Sequence, residues 1–224
     1  MSKPLSPDDI AARVAEDLPD GAYVNLGIGM PMRVAEFLPP DRECVLHSEN
    51  GLLGMGPAPA PGAESPDLIN AGKQPVTVLA GGAFFHHADS FAMIRGGHID
   101  VSILGAYQVA ANGDLANWAL PGAKAPAVGG AMDLVAGAKQ VWVMLAQQVG
   151  KDGAPRILER CSLPLTGPAC VDRIYTDLAV LEITPDGLLV TDLLEGLSEA
   201  ELQATVGAPL RFAPGCRRLR ASAA

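Results

Sequence analysis

Ala22-Tyr23-Val24-Asn25-Leu26-Gly27-Ile28-Gly29-Met30-Pro31 reads as a short strand, a glycine turn and the start of a helix. Tyr, Val and Leu favour a pleated, half-buried strand. Gly27 and Gly29 bracket the turn. Pro31 suits a first helical position, where its missing N–H costs nothing. The helix then runs through 33–38 and ends at Pro39-Pro40. An earlier helix precedes the strand. Ser6 caps it, Pro7 fits its first turn, and Asp8 and Asp9 complement its positive end. Ile10, Val14 and Leu18 recur every four residues along one face, and Asp20-Gly21 stops it.

The same alternation continues. A strand over 44–47 leads into the turn-forming Ser48-Glu49-Asn50-Gly51. The Gly- and Pro-rich stretch 54–66 reads as a surface loop too stiff for a free linker. Strands are expected over 75–80, 99–104 and 141–145. Helices are expected over 90–95, stopped by Gly96-Gly97, and over 131–138, opened by Gly129-Gly130. Strands over 178–183 and 188–191 flank the hairpin signal Thr184-Pro185-Asp186-Gly187. A last helix starts at Ser198, with Glu201 completing a capping box, and ends at Gly207. The expected fold class is therefore α/β: one domain over 1–224, with a mostly parallel sheet covered by helices on both faces. An antiparallel hairpin lies near its C-terminus, and 211–224 is expected to be a loose tail.

Composition agrees with one large folded domain. Hydrophobic residues make up 49% and charged residues 18%, which excludes a disordered acidic chain. The net charge of −9 argues against nucleic-acid binding. The one basic cluster, Arg217-Arg218-Leu219-Arg220, reads as part of the solvated tail. Cys44, Cys161, Cys170 and Cys216 are widely spaced and form no C-x-x-C pair, so they are expected to remain thiols. Met1-Ser2-Lys3-Pro4 lacks the apolar core of a signal peptide, and no apolar run is long enough to span a bilayer. A cytoplasmic protein without membrane attachment is expected.

Several residues are candidates for chemistry. Glu49 puts a carboxylate at the exit of a buried strand, where α/β folds display reactive groups. Alone, S-E-N-G reads first as a turn with an exposed glutamate. Gly27-Ile28-Gly29 lacks the third glycine of a dinucleotide fingerprint, since Met30-Pro31 stands there, and a nicotinamide site is not expected. Gly129-Gly130 before a helix either offers N–H groups to an oxyanion or permits close packing. His86 and His87 are adjacent and so point apart, and no third ligand has matching spacing; no metal is expected. Lys73, in the polar turn 70–74, is a surface lysine or a partner for a phosphate or carboxylate.

Taken in order, these pieces resemble the B subunit of the class I (3-oxoacid) CoA-transferases. The matching stretches are Tyr23 to Pro31, His47-Ser48-Glu49-Asn50-Gly51-Leu52-Leu53-Gly54-Met55-Gly56, and Asp67-Leu68-Ile69-Asn70-Ala71-Gly72-Lys73-Gln74. Met93-Ile94-Arg95-Gly96-Gly97-His98, Gly113-Asp114-Leu115-Ala116-Asn117-Trp118, Gly129-Gly130-Ala131-Met132-Asp133-Leu134 and Leu163-Pro164-Leu165-Thr166-Gly167 follow. The resemblance covers about 22–210. Within the family, the stretches 81–91 and 169–182 look most like the branch acting on 3-oxoadipate, on the β-ketoadipate route of aromatic breakdown. The pattern departs at Leu145-Ala146-Gln147-Gln148, where many relatives carry a charged or histidine-containing segment.

The resemblance implies that Glu49 is the nucleophile and carries CoA as a thioester, and that the Gly130 N–H stabilises an oxyanion. It makes Gly27, Gly29, Asn50, Gly51, Lys73 and Gly129 candidates for the CoA site. It implies no permanently bound cofactor, with CoA as substrate. It implies a companion A subunit in a heterotetramer of two A and two B subunits. The implied reaction moves CoA from succinyl-CoA to a 3-oxo acid, 3-oxoadipate first; acetoacetate as acceptor and acyl-CoA hydrolysis are the alternatives.

Overall fold

A computed structural model describes residues 3–122, 126–150 and 153–222. Met1 and Ser2, from the stretch read above as lacking the apolar core of a signal peptide, lie outside the described residues, as do Ala223 and Ala224 at the end of the expected tail. The chain forms a ten-stranded sheet with helices on both faces and a small three-stranded sheet beside it.

Helix α1 spans Pro7–Asp17. Ser6 caps it, and Asp9 returns the bond to the Ser6 N–H, so the cap is a full capping box. Strand β1 is Tyr23–Leu26. The segment expected to be an α-helix after it is a 3₁₀ helix, Met30–Phe37. Its buried residues are Pro31 and Val34. That spacing of three is the repeat that a 3₁₀ helix stacks on one face.

Strands β2 (Val45–Ser48) and β3 (Leu52–Met55) form an antiparallel hairpin, and β4 (Val78–Phe84) pairs with β3. The hairpin was not expected. Strand β4 also begins later than the 75–80 read from sequence. Helix α2 (His87–Arg95) leads to β5 (Val101–Gly105). The short strands β6 (Gln108–Ala110), β7 (Leu115–Ala116) and, later, β9 (Ile157–Leu158) make the small sheet. Helix α3 (Ala131–Gly137) and strand β8 (Gln140–Leu145) follow. Strand β10 (Arg173–Thr176) precedes the hairpin β11 (Ala179–Thr184) and β12 (Gly187–Leu194). Helix α4 is Glu199–Gln203, shorter than expected, and β13 is Leu210–Leu219.

The sheet order is β13-β12-β11-β10-β8-β5-β1-β2-β3-β4. Five strands, β10-β8-β5-β1-β2, form a central parallel block. Alternation along its strands builds two cores. Val24, Val101, Ile103, Trp142, Met144 and Tyr175 pack toward α1 and the 3₁₀ helix. Leu104, Val141, Val143, Leu145 and Ile174 pack toward α2, α3 and α4. Both faces are buried, so these strands read as near-continuous apolar runs.

The expected loose tail is corrected. Residues 210–219 are a strand parallel to β12. Its register shifts between Val190 and Asp192, opposite Pro214-Gly215. A Pro-Gly pair within a strand reads as a breaker, yet an edge strand tolerates it at a bulge. The basic cluster is engaged as well: Arg217 pairs with Glu16 at 2.9 Å, Arg220 with Glu195 at 2.8 Å, and Leu219 is buried.

Candidate active site

The turn between β2 and β3 sets out Glu49. Gly51 has φ +113°, and a Cβ there would lie 2.2 Å from the Phe85 carbonyl oxygen. Only glycine fits. The Gly51 N–H donates to the Ser48 carbonyl at 3.0 Å, and the Phe85 N–H to the Gly51 carbonyl at 3.1 Å. Two side chains tie the turn to the segment 69–71. Ser48 Oγ accepts from the Ala71 N–H at 3.0 Å, and Asn50 Nδ2 donates to the Ile69 carbonyl at 2.7 Å. The turn is thus held on both sides, which fixes where the carboxylate points.

Opposite it stands the loop entering α3. A Cβ on Gly130 would sit 2.5 Å from Glu49 Oε2 and 2.9 Å from Phe91 Cζ. Gly130 has φ −82°, which any residue can adopt. Its lack of a side chain therefore answers to space, and bare backbone faces the carboxylate. Burial raises the pKa of Glu49; His87 acts against that rise, and the like charge of Asp133 adds to it. Arg95 holds Asp133 at 2.6 Å. Among the described residues Glu49 makes no ion pair of its own.

Glu49 lines a cleft of about 580 Å³ with Gly27, Ile28, Gly129, Gly130 and Trp118 among its walls. That volume is in the range of small-molecule sites. The cleft opens at the carboxyl ends of β1, β2 and β5, where open α/β sheets place ligands. Its far wall is braced by side-chain bonds. Asn117 donates to the Gly105 carbonyl at 3.1 Å and accepts from Thr166 Oγ1 at 2.6 Å, while Trp118 Nε1 donates to the Leu165 carbonyl at 3.2 Å.

The structure brings four of the candidates together and leaves four outside. Glu49, Gly130, Gly27 and Gly129 line the cleft. A Cβ on Gly27 would come within 2.9 Å of the Ile103 carbonyl oxygen and of Leu104 Cδ2, so that glycine lets β1 and β5 close up beneath the site. Gly29, with φ +91°, caps the 3₁₀ helix. Asn50 and Gly51 shape the turn without lining the cleft. Lys73 is exposed with φ +63°, at a turn whose neighbour Ala71 does line it. Sequence reasoning missed Asn25, Phe91, Asn117 and Trp118. Their positions depend on strand register, on how α2 packs and on the small sheet, none of which leaves a local pattern.

The family model for coenzyme A transferase matches residues 8–197. The chain belongs to the coenzyme A transferase family. It is 60% identical over 212 residues to the B subunit of 3-oxoadipate CoA-transferase from Pseudomonas putida, covering 94% of this chain and 98% of that one. It is 58% identical over 207 residues to the protein of the same name in Acinetobacter baylyi, covering 92% and 95%. The human mitochondrial succinyl-CoA:3-ketoacid coenzyme A transferase 2 is 48% identical over 212 residues, 94% of this chain but 41% of that longer one.

Solved structures share the fold. An acyl-CoA transferase apoenzyme from Escherichia coli O157:H7 superposes with a TM-score of 0.74 at 18% identity, over 95% of this chain and 43% of that one. Glutaconate coenzyme A-transferase from Acidaminococcus fermentans gives 0.70 at 14%, over 100% and 92%. Among the described residues no helix is long and apolar enough to cross a membrane.

Proposed function

We infer that this transferase chain is the glutamate-bearing subunit of a two-subunit enzyme that moves CoA from succinyl-CoA to 3-oxoadipate, with Glu49 forming a glutamyl-CoA thioester. One observation carries the reading: a half-buried carboxylate with no ion pair among the described residues, on the wall of the 580 Å³ cleft, facing the bare backbone of Gly130. The acceptor and the partner subunit rest on the names of relatives 58–60% identical to this chain.

The chemistry is nucleophilic covalent catalysis. A Glu49 carboxylate oxygen attacks the succinyl carbonyl, the C–S bond breaks, and CoA leaves as thiolate from a mixed anhydride. The thiolate attacks the glutamyl carbonyl, succinate leaves, and glutamyl-CoA remains. The incoming acid reverses both steps. The protein's part is to hold the carboxylate poorly solvated, which keeps its electron pairs available, and to meet the developing oxyanion with a donor. The Gly130 N–H is that donor in this reading, and a companion A subunit completes the site in a heterotetramer of two A and two B subunits. Gly27 and Gly129 are the better CoA-contacting candidates because they line the cleft; Gly29, Asn50, Gly51 and Lys73 lie outside its lining.

The test is mass analysis of the chain with its partner after succinyl-CoA is added without acceptor, followed by borohydride. A CoA adduct on Glu49, or its reduction to the alcohol, supports the covalent route. Discharge by 3-oxoadipate in preference to acetoacetate supports the acceptor. An unmodified Glu49 in a complex that still transfers CoA would overturn it.

A further inference from the structure

Beneath the cleft, three polar side chains stand in one row across the sheet. Asn25 on β1 is the register partner of His47 on β2 and of Ser102 on β5. All three are at most 2% exposed, as is Ser90 on α2. They belong to the face of the sheet opposite Val24, Leu46, Val101 and Ile103.

The hydrogen bonds fix the state of the histidine. Asn25 Nδ2 lies 3.0 Å from His47 Nδ1 and can only donate, so Nδ1 is unprotonated. The ring proton is then on Nε2 and is donated to Ser90 Oγ at 2.8 Å. The Phe85 ring stacks on the imidazole at 6.2 Å and 15°. Burial lowers the His47 pKa to about 4, in keeping with a neutral ring. Asn25 and Ser90, which bond it, and Phe85, which stacks on it, carry no charge. On the other side of Asn25, Ser102 Oγ has no hydrogen-bond partner among the described residues. The Asn25 amide is committed to the histidine, and the hydroxyl in register with it is left unpaired.

We propose that His47 is a positioning residue for CoA transfer: through Asn25 and Ser90 it locks β1 and α2 to the strand that leads into Glu49. The proposal rests on Glu49 being the nucleophile. The linkage is short. His47 lies on β2, two residues before Glu49 in the turn that the strand feeds. Ser90 is followed by Phe91, whose ring packs against Gly130, and Gly130 faces the Glu49 carboxylate. His87, one helical turn before Ser90, lays its ring against Phe91 at 4.8 Å, on the same side as Gly130. Asn25 itself lines the cleft. One imidazole therefore sets the depth of α2 against the nucleophile and the rotation of an amide on the cleft wall. It does so without placing a charge beside the carboxylate.

The test is the rate at which succinyl-CoA, without acceptor, loads Glu49 in the complex with the partner subunit, followed by rapid quench and mass analysis. Wild type is compared with His47→Leu, His47→Gln and Ser90→Ala, each normalised to assembled complex. Loading in His47→Leu and Ser90→Ala should slow by roughly 10- to 100-fold, the scale of a misplaced reactive group, with KM for succinyl-CoA little changed. His47→Gln, whose amide keeps a donor for Ser90, should recover part of the rate. If His47→Leu fails to assemble, Ser90→Ala decides alone, because it removes one hydroxyl. Wild-type loading rates in assembled Ser90→Ala and His47→Leu would overturn the proposal and leave the network a structural one. A wild-type complex that transfers CoA without ever loading Glu49 would overturn the covalent reading first, and this proposal with it.

Discussion

Two polar networks lie on opposite faces of one sheet, and they are built from opposite materials. On the α1 face the groups are ionic. Arg13 bonds Asp192 at 3.1 Å and also Asp17; Arg173 bonds Asp17 at 2.8 Å and Glu182. Tyr175 donates to Asp17 at 2.8 Å, and the Arg173 guanidinium lies over the Trp142 ring. On the cleft face Asn25, His47 and Ser90 are all neutral. Both networks tie a helix to the sheet, so the difference is not one of structural need. Matched charges serve where nothing further is asked of them. Beside Glu49, a fixed cation in direct contact would stabilise the carboxylate and blunt its attack, whereas neutral donors and acceptors give position alone.

The largest expected effect separates the two networks by chemistry. Glu49→Ala should lower CoA transfer by about 10,000-fold or more while the complex still assembles, measured as turnover per assembled complex. The buried carboxylate also has a stability signature of definite sign. Its pKa is raised in the folded chain, so the folded state favours the protonated form. That contribution is fully present below the unfolded pKa and is lost as pH rises through the folded one. Glu49→Gln should therefore raise Tm near neutral pH, with the gain fading toward acid. A constant gain at every pH would break the argument.

The next effect belongs to the other face. Asp192→Ala takes one carboxylate from the half-buried Arg13 guanidinium, which keeps Asp17, and the loss should be about 1–3 kcal/mol in denaturant unfolding. Turnover per folded molecule should stay near wild type. A large loss of turnover at unchanged stability would show that the ionic face also shapes the cleft.

Gly130→Ala tests the space opposite the nucleophile. The added methyl meets Glu49 Oε2 and Phe91, so overpacking should cost about 1–3 kcal/mol while loading of Glu49 falls disproportionately. Equal losses in both would reduce Gly130 to a packing residue. The smallest effect is Ser102→Ala. Removing an unpaired buried hydroxyl should stabilise the chain by about 1 kcal/mol, with CoA transfer unchanged. A destabilised variant would mean that the hydroxyl has a partner after all.

The parts of the fold legible in the sequence are those with local signatures. The first helix carries its cap, its first-turn acids and its four-residue apolar repeat within 6–18. The strand–turn–helix at 22–31 and the buried runs of β5 and β8 are equally compact signals. What hid were elements defined by partners. β3 is four residues long and ends beside Gly54. β10 mixes Arg173 and Tyr175 into its pattern, because those side chains serve the ionic face. β13 is broken in the sequence by Pro214-Gly215, though its partner strand restores it on either side.

The site divides the same way. Glu49 was legible as a carboxylate at a strand exit, and the S-E-N-G resemblance sharpened it. The reason for Gly130 was not, since a missing side chain means nothing until the atom it would strike is known. Asn25, His47 and Ser90 are separated by 22 and 43 positions and carry no shared motif. Register alone assembles them. Lys73 went the other way: inside a matching stretch, it stands exposed with a left-handed backbone outside the cleft.

The closing of the sheet by β13 also governs how the chain must be made. Arg13 finds Asp192 across 179 positions, and Asp9 finds Ser222 across 213. A helix completed within the first moments of synthesis thus waits for strands emitted far later before its apolar face and its arginine are satisfied. At about 5–20 residues per second that interval is on the order of ten seconds or more. Through it, α1 is exposed to chaperones and to wrong partners, and a nascent chain stalled before β12 would present that helix as its most vulnerable surface.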